Sequence, residues 1–525
     1  MTILFMKKKY QLERFFVTWL MILFMILTDA FTAFAQVKQA TVLVNGISCD
    51  LEQGILKVEF VTPDVVRVQY TGENTFMGNG TDVCLSRTVD NPVRWVYTPN
   101  PDCYLLKSDS LIVRVDLSTA SITYLDKEGR LLLQEDQNIP RISEKRVTKQ
   151  VIYDEHSKHI EKTADGDKEI KNVLRYDIIG HTWKYRINFK WQPLEALYGW
   201  GAHMEDYMNL RGKELYLCQH NLKAMVPVLN STAGYGLLFD AGCAMMFKDN
   251  SEGSFVELEA AKQIDYYFMK GKTMDAVVAN YRLLTGNSPM MPLYLFGYIQ
   301  SKERYVSSDD LINTLKEYRQ RQIPIDMIVQ DWNYWPEGQW GNMSMNPKFY
   351  PDKRKLADEI HSLHAKLMIS IWPNAMNCPQ HEEFKRKGWL LSGTSVYDAF
   401  NPLARKLYWN YANNEFFGNG FDAWWCDASE PLDADWTFMK DGYGADNHRQ
   451  RWELNTNLLN SVLGAERSQL YSLYHAKGIY ENQRSTNEDK RVVNLTRSSY
   501  AGQQRYSTIT WNGDTYATWQ SFALM

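Results

Sequence analysis

The chain changes its folding pattern once, close to residue 290, and that change limits the architectures open to it. Before it, apolar and polar residues alternate over short runs: Leu56–Val61, Val65–Tyr70, Leu111–Leu117 and Ile122–Leu125. Period-two alternation with turn residues between the runs marks strands that bury one face. Residues 36–288 are therefore expected to form an N-terminal antiparallel β-sandwich. Within them, Ser143–Lys171 is polar and charge-rich and reads as a surface excursion. Asp265–Leu284 carries one helical segment, with Met274, Val277, Val278 and Tyr281 apolar. After residue 290, strand-like runs alternate with amphipathic helices. Leu293–Tyr298, Met327–Val329, Leu367–Pro373, Phe421–Asp427, Val492–Arg497 and Ser507–Asp514 read as strands. A helix capped by Ser307 or Ser308 runs to Gln322 with Leu311, Ile312, Leu315 and Tyr318 on its apolar face, and Leu356–Leu363 sits on another. Repeated βα units without a glycine-rich phosphate loop predict a (β/α)8 TIM barrel over residues 289–525. The sixth strand falls close to the last residue, so the barrel is expected to be truncated after about strand six.

Residues 1–35 read as a signal peptide. Lys7–Lys9 form a basic opening, Phe15–Leu27 an apolar run, and Ala33-Phe34-Ala35 a small-x-small cleavage site that leaves Gln36 first; Met6 is an alternative start. The apolar run is short for a membrane span. The expectation is a secreted protein, periplasmic in a Gram-negative bacterium, with no membrane span once the signal is removed. A net charge of −4 over 525 residues supplies no broad basic field, which argues against a nucleic-acid partner. The seven cysteines are scattered and show no C-x-x-C pair, so neither a zinc site nor a dense disulfide scaffold is indicated; one bridge in the N-terminal half stays open. The ten histidines show no H-x-x-x-H pair, and His361 and His364 read as surface or packing residues. The 17 Trp and 31 Tyr fit two readings. Aromatic rings stack on the C–H faces of sugars, and they also fill large β cores.

Polar groups gather at the C-terminal ends of the barrel strands: Asp331-Trp332, Trp372, Asp427 with Glu430, Arg497 and Asp514. In a barrel these ends share one face, where active sites lie. Two carboxylates from different strand ends suit glycoside hydrolysis, in which one attacks or activates water and the other protonates the leaving oxygen. Their roles need environments that split their pKa values. Arg497 is a candidate neighbour to keep Asp427 ionised. Asp514 follows Trp511-Asn512-Gly513, an aromatic and uncharged setting that favours the protonated acid. Both aspartates also fit as helix N-caps, since Asp427-Ala428-Ser429-Glu430 has the form of a capping box.

Phe421-Asp422-Ala423-Trp424-Trp425-Cys426-Asp427-Ala428-Ser429-Glu430-Pro431 resembles the nucleophile signature of glycoside hydrolase family 31. Leu495-Thr496-Arg497-Ser498, running on to Trp511-Asn512-Gly513-Asp514, resembles that family's acid/base segment. Tyr198–Gly201, Leu210–Gly212 and Gly234–Gly236 resemble its N-terminal sandwich, and Gln300–Tyr305 the entry to its barrel. The resemblance implies a retaining, exo-acting α-glycosidase with Asp427 as nucleophile and Asp514 as acid/base. It implies sugar binding by Arg497 near the nucleophile and by Asp331 at the far side of the −1 sugar, with Trp372, Trp425 and Trp511 as walls. Glu430 is placed with the substrate-binding set or as an organiser of the loop after Asp427. The partner is an oligosaccharide, and no cofactor or metal is required. The Trp-Trp-x-Asp form and Gln330-Asp331-Trp332-x-Tyr334-Trp335 look most like the α-xylosidase branch acting on xyloglucan-type oligosaccharides, with Trp332 and Trp335 filling the space of a C6 hydroxymethyl. An α-glucosidase or α-galactosidase of the same family, or an inactive truncated sugar-binding remnant, are the alternatives. Oligomeric state is not readable from the sequence.

Overall fold

A computed structural model describes residues 36–525 apart from 79, 86–91, 164–165, 206 and 433–447. The expected signal segment lies outside the described residues. No helix among them is long and apolar enough to cross a membrane.

The first half is a pair of antiparallel sheets, one of eight strands and one of ten. The alternation seen in the sequence decides which side chains point inward. In Leu111–Asp116, Leu111, Val113 and Val115 are buried while Ile112, Arg114 and Asp116 are partly exposed. The two inner faces interdigitate through side chains such as Val58, Val66, Val113 and Leu133. Tyr124 of one sheet stacks on Phe268 of the other, with ring centroids 4.0 Å apart and planes 5° from parallel. Charges are also buried here. Arg67 and Asp265, on paired strands, form an ion pair at 2.6 Å, and Gln69 Nε2 donates to the same carboxylate at 3.0 Å.

One local expectation is corrected and two are made more definite. The surface excursion at residues 143–171 is ordered. Arg141–Tyr153 is a strand paired along its length with Val173–Lys190, and a second hairpin, His159–Thr163 with Gly166–Ile170, forms beyond it. Val147, Thr148, Ile152 and Tyr153 favour extended backbone, and charges on a hairpin wet on much of its surface do not oppose pairing. Asp265–Leu284 divides into the strand Ile264–Lys270, whose residues pack on both faces, and the helix Met274–Thr285, capped by Thr273. Leu293–Tyr298 is not a buried strand. Leu293–Phe296 is a single 3-10 turn between Pro292 and Gly297, with Leu293 and Phe296 exposed, and the strand is only Ile299–Gln300.

The second half holds six parallel strands paired in chain order: Ile299–Gln300, Met327–Gln330, Lys366–Ile371, Ala423–Cys426, Asn494–Thr496 and Thr508–Thr510. Parallel neighbours need crossover connections, and helices such as Ser308–Gln320 and Lys353–Ser362 supply them. Side chains alternate across this sheet. Ile328, Leu367, Ile369, Ile371, Trp424 and Cys426 face the helices. Met327, Val329, Met368, Ala423, Val493 and Leu495 form a second, smaller core on the other face. The first and sixth strands pair with no further strand among the described residues.

The halves are packed together. Leu470, Leu473, Tyr500 and Tyr506 belong to the same buried cluster as the sandwich core. Tyr500 Oη donates to Ala241 O at 2.6 Å, and Arg505 Nη1 to Thr285 O at 3.0 Å, so the loop between the fifth and sixth strands is tied to the β-sandwich.

Replacing Arg67 by Ala strands the buried Asp265 carboxylate. It should cost about 3–5 kcal/mol in urea unfolding followed by tryptophan fluorescence. A loss below about 1 kcal/mol would mean that water reaches the carboxylate left behind.

Candidate active site

The parity that builds the inner barrel core also aims the polar residues. Positions 327, 329 and 331 share a face, as do 368, 370 and 372, then 423, 425 and 427, then 493, 495 and 497, and 509 and 511. Asp331, Trp372, Trp425, Asp427, Arg497 and Trp511 therefore continue the inner face at the strands' C-terminal ends.

Arg497 is the hub. Its Nε donates to Glu430 Oε1 at 2.7 Å. Its Nη1 lies 3.3 Å from Asp427 Oδ1 and 3.4 Å from Asp514 Oδ2. Two carboxylates 87 positions apart by number thus face one nitrogen. Trp425 and Trp511 pack at 4.6 Å between ring centroids against the inner core. Trp372 Nε1 donates to Ser370 Oγ at 3.1 Å, and its ring meets Trp340 edge-on at 5.1 Å. Trp340, Trp372 and Arg497 line a cleft of about 1990 Å³ that extends to Tyr153 and Tyr176 of the long hairpin. Asp427 and Asp514 are not among its walls.

Burial pushes the Asp427 carboxyl up. Arg497 pulls it down and the Asp514 charge adds to the rise, so the net direction is upward. Asp331 is raised to about 7, first by burial and then by the Asp427 charge, against hydrogen bonds from the Trp332 N–H and Ser370. Arg497 is thus the expected neighbour of Asp427 and favours its ionised form, but burial and the Asp514 charge outweigh it, and the guanidinium is shared with Glu430 and Asp514.

Four further readings change or narrow. Asp514 does not sit in an aromatic, uncharged setting. Its side chain is 69 % exposed and meets Arg497 and Asn221, whose Nδ2 donates to Oδ2 at 2.7 Å. Glu430 is only 1 % exposed and pairs with Arg497, which fits the organising role rather than direct sugar contact. No helix begins between Asp427 and Leu432, so the capping-box alternative has no helix to cap there. Trp335 is buried beside Tyr334 and Trp340 rather than lining the opening, while Trp332 is partly buried with its ring 5.6 Å from Trp340. All seven cysteines are free.

Sequence reasoning did not single out Asn221, Ser370 or Trp340. Trp340 lies in a loop after the second strand, where nothing local marks it. Ser370 had a usable signal, since it shares the parity of Trp372 on the same strand.

An antiparallel sandwich packed against a parallel barrel sheet, with carboxylates gathered around an arginine at the strands' C-terminal ends, defines the class: a barrel protein with a site at its carboxyl face. Residues 288–525 match the model for the glycosyl hydrolases family 31 TIM-barrel domain, and residues 55–247 match the glycosyl hydrolase 31 N-terminal galactose mutarotase-like domain. The chain belongs to glycoside hydrolase family 31. It is 30% identical over 475 residues to an α-xylosidase of Saccharolobus solfataricus, covering 88% of this chain and 58% of that protein. It is also 30% identical over 361 residues to an uncharacterized family 31 glucosidase of Pseudescherichia vulneris, covering 65% and 64%. The chain thus spans less than two thirds of either relative's length. Among solved structures, a family 31 α-xylosidase from a soil metagenome, complexed with xylose, superposes with a TM-score of 0.74 at 23% identity, covering 93% of this chain and 69% of that one.

Asp331 also sets a pH dependence. Its folded-state value of about 7 exceeds the ordinary 3.8, so the folded protein holds a proton that the unfolded chain has released between those limits. Stability falls as pH rises through that window. Asp331→Asn should lose less melting temperature than the wild type between about pH 4 and pH 7. Equal losses in the two proteins would mean that Asp331 is already ionised at the acid end.

Proposed function

We propose that this chain carries the catalytic core of a retaining, exo-acting α-glycosidase that removes terminal α-linked sugars by double displacement. The observation that carries the reading is the single Arg497 nitrogen within 3.3 Å of Asp427 and 3.4 Å of Asp514. Those two oxygens can be no further apart than the sum of these distances. That limit is compatible with the ~5–5.5 Å spacing of retaining pairs and supports the retaining reading.

In this reading Asp427 attacks the anomeric carbon while Asp514 gives a proton to the departing oxygen. Asp514 then takes a proton from water as that water displaces Asp427. Positive charge develops on the sugar in the transition state of each step. Asp427, Glu430 and Asp514 around one guanidinium make the mouth an acidic setting to meet it. Arg497 holds both acids at its Nη1 and contacts a sugar hydroxyl near the nucleophile. Asp331 binds hydroxyls on the far side, with Trp372 beside it.

The substrate reading puts α-xylosyl residues of xyloglucan-type oligosaccharides first, supported by the similarity to α-xylosidases. The glucosidase among the relatives keeps α-glucosides as the second reading.

The test is a panel of aryl α-xyloside, α-glucoside and α-galactoside on the full-length protein, with NMR of the first product. Xyloside should be turned over fastest and release the α-anomer first, and Asp427→Ala should abolish turnover while sugar binding persists. A first-formed β-anomer removes retention, and no turnover of any member removes the enzymatic reading. The aromatic wall gives a second test. Trp340 packs on Trp372 at the cleft, so Trp340→Ala should shrink the preference for xyloside over glucoside by about tenfold, the scale of one small group in a pocket. An unchanged ratio means that Trp340 does not set the boundary at C6.

A further inference from the structure

A side chain from the β-sandwich reaches the catalytic mouth. Asn221 and Leu222 are the central residues of a tight turn closed by His220 N–H to Lys223 O at 2.9 Å and Lys223 N–H to His220 O at 3.0 Å. The turn is fixed on both sides. Gln219 N–H donates to Gln469 Oε1 at 2.6 Å, and Gln219 Nε2 donates to Ser499 O at 2.9 Å. Lys223, buried, pairs with Glu205 at 2.6 Å and sits 3.8 Å over the Trp452 ring. Asn221 itself is 8% exposed.

Its contacts with Asp514 are reciprocal. Asp514 N–H donates to Asn221 Oδ1 at 2.9 Å, and Asn221 Nδ2 donates to Asp514 Oδ2 at 2.7 Å. A backbone amide only donates, so the first bond fixes which end of the Asn221 amide is oxygen and makes the second bond one donated by Asn221. The barrel side is fitted to this turn. Gly513 adopts φ +76°, and a Cβ there would lie 1.8 Å from Asn221 O. Only glycine allows Asp514 to approach so closely. Arg497 Nη1 faces the same Oδ2 at 3.4 Å.

We propose that Asn221 is a positioning residue for the acid/base: by donating to Oδ2 it leaves Oδ1 as the oxygen that carries the transferable proton. An oxygen already accepting from an amide and facing a guanidinium has no room for a third hydrogen along its lone pairs. As Asp427 forms its bond to the anomeric carbon and the glycosidic bond breaks, the proton on Oδ1 passes to the departing oxygen. In the second step Oδ1 takes a proton back from water. The β-sandwich is thereby part of the catalytic apparatus. The other charges acting at this mouth are Arg497, Asp427 and Asp331.

This inference rests on the proposed double displacement, and its test separates the two. In the full-length protein, Asn221→Ala and Asn221→Asp are compared with Asp514→Ala on aryl α-glycosides of good and poor leaving groups. Asn221→Asp keeps the acceptor for the Asp514 N–H and the shape of the turn, so it guards against simple misfolding. Both Asn221 variants should lose about tenfold or more in kcat with a phenol leaving group and little with a dinitrophenol, which needs no proton. Equal losses on both leaving groups, or wild-type behaviour, overturn the role of Asn221. If Asp514→Ala shows no leaving-group dependence, the acid/base assignment fails and the inference falls with it.

Discussion

One guanidinium among three carboxylates fixes the geometry of this site. Arg497 is nearly buried, and its planar fork presents separate donors to Glu430 on one side and to Asp427 and Asp514 on the other. A lysine in its place would offer one compact charge and no fork, so it could not hold three acceptors in fixed directions. The pairing with Glu430 does the orienting. That carboxylate is withdrawn from solvent, and its bond to Nε turns Nη1 toward the two aspartates. Ser429 and Thr496 join by their hydroxyls at 2.7 Å, and Ser498 N–H donates to Ser429 Oγ at 3.0 Å, so the ends of the fourth and fifth strands are locked at the arginine's base. Strand pairing therefore sets Arg497 against Asp427, while Asp514, in the loop after the sixth strand, is set by Arg497 and Asn221.

The sandwich is coupled to the same point. The chain leaves Arg497 and runs at once into the β-domain surface, where Ser498, Ser499 and Tyr500 are hydrogen-bonded to Gln219 and Ala241. It returns by way of Arg505, tied to the backbone at Val83 and Thr285. The fifth strand is short, and its Trp425↔Leu495 and Cys426↔Thr496 pairings give it few hydrogen bonds of its own. Loss of the sandwich would release both the arginine's following loop and the segment that ends in Asp514. Stability of the first half and geometry of the site are one property in this chain.

Much of this was legible because strand periodicity does two jobs. It separates core from solvent, and in a parallel barrel it decides which terminal residues look into the mouth. Asp331, Trp372, Asp427 and Arg497 follow from it directly. The failures have equally local causes. Trp511 precedes Asp514 by three positions and suggested an aromatic setting. The left-handed turn at Gly513 separates them, so Trp511 packs on Trp425 while Asp514 turns to Asn221. Asn221 was invisible because its partner is 293 positions away on a different domain, and a turn asparagine looks like any other. The long hairpin was hidden by its charges, which mask β-branched residues when composition is weighed before pattern. Leu293–Phe296 erred the other way, since apolar density without a neighbouring strand produced a turn.

The proton inventory follows from the same asymmetry. The Asp427 charge raises the affinity of Asp331 for a proton, and two neighbouring carboxyls cannot both ionise without cost. Only Asp427 has a cation beside it. Asp331 is held instead by the Trp332 N–H and Ser370, which are dipoles and not charges. Burial and the Asp427 charge raise Asp331 to about 7, so below that pH it holds a proton. A protonated Asp331 is a hydrogen-bond donor and a charged one is only an acceptor. Below about pH 7 Asp331 therefore offers a donor toward a sugar hydroxyl rather than a second negative charge beside Asp427.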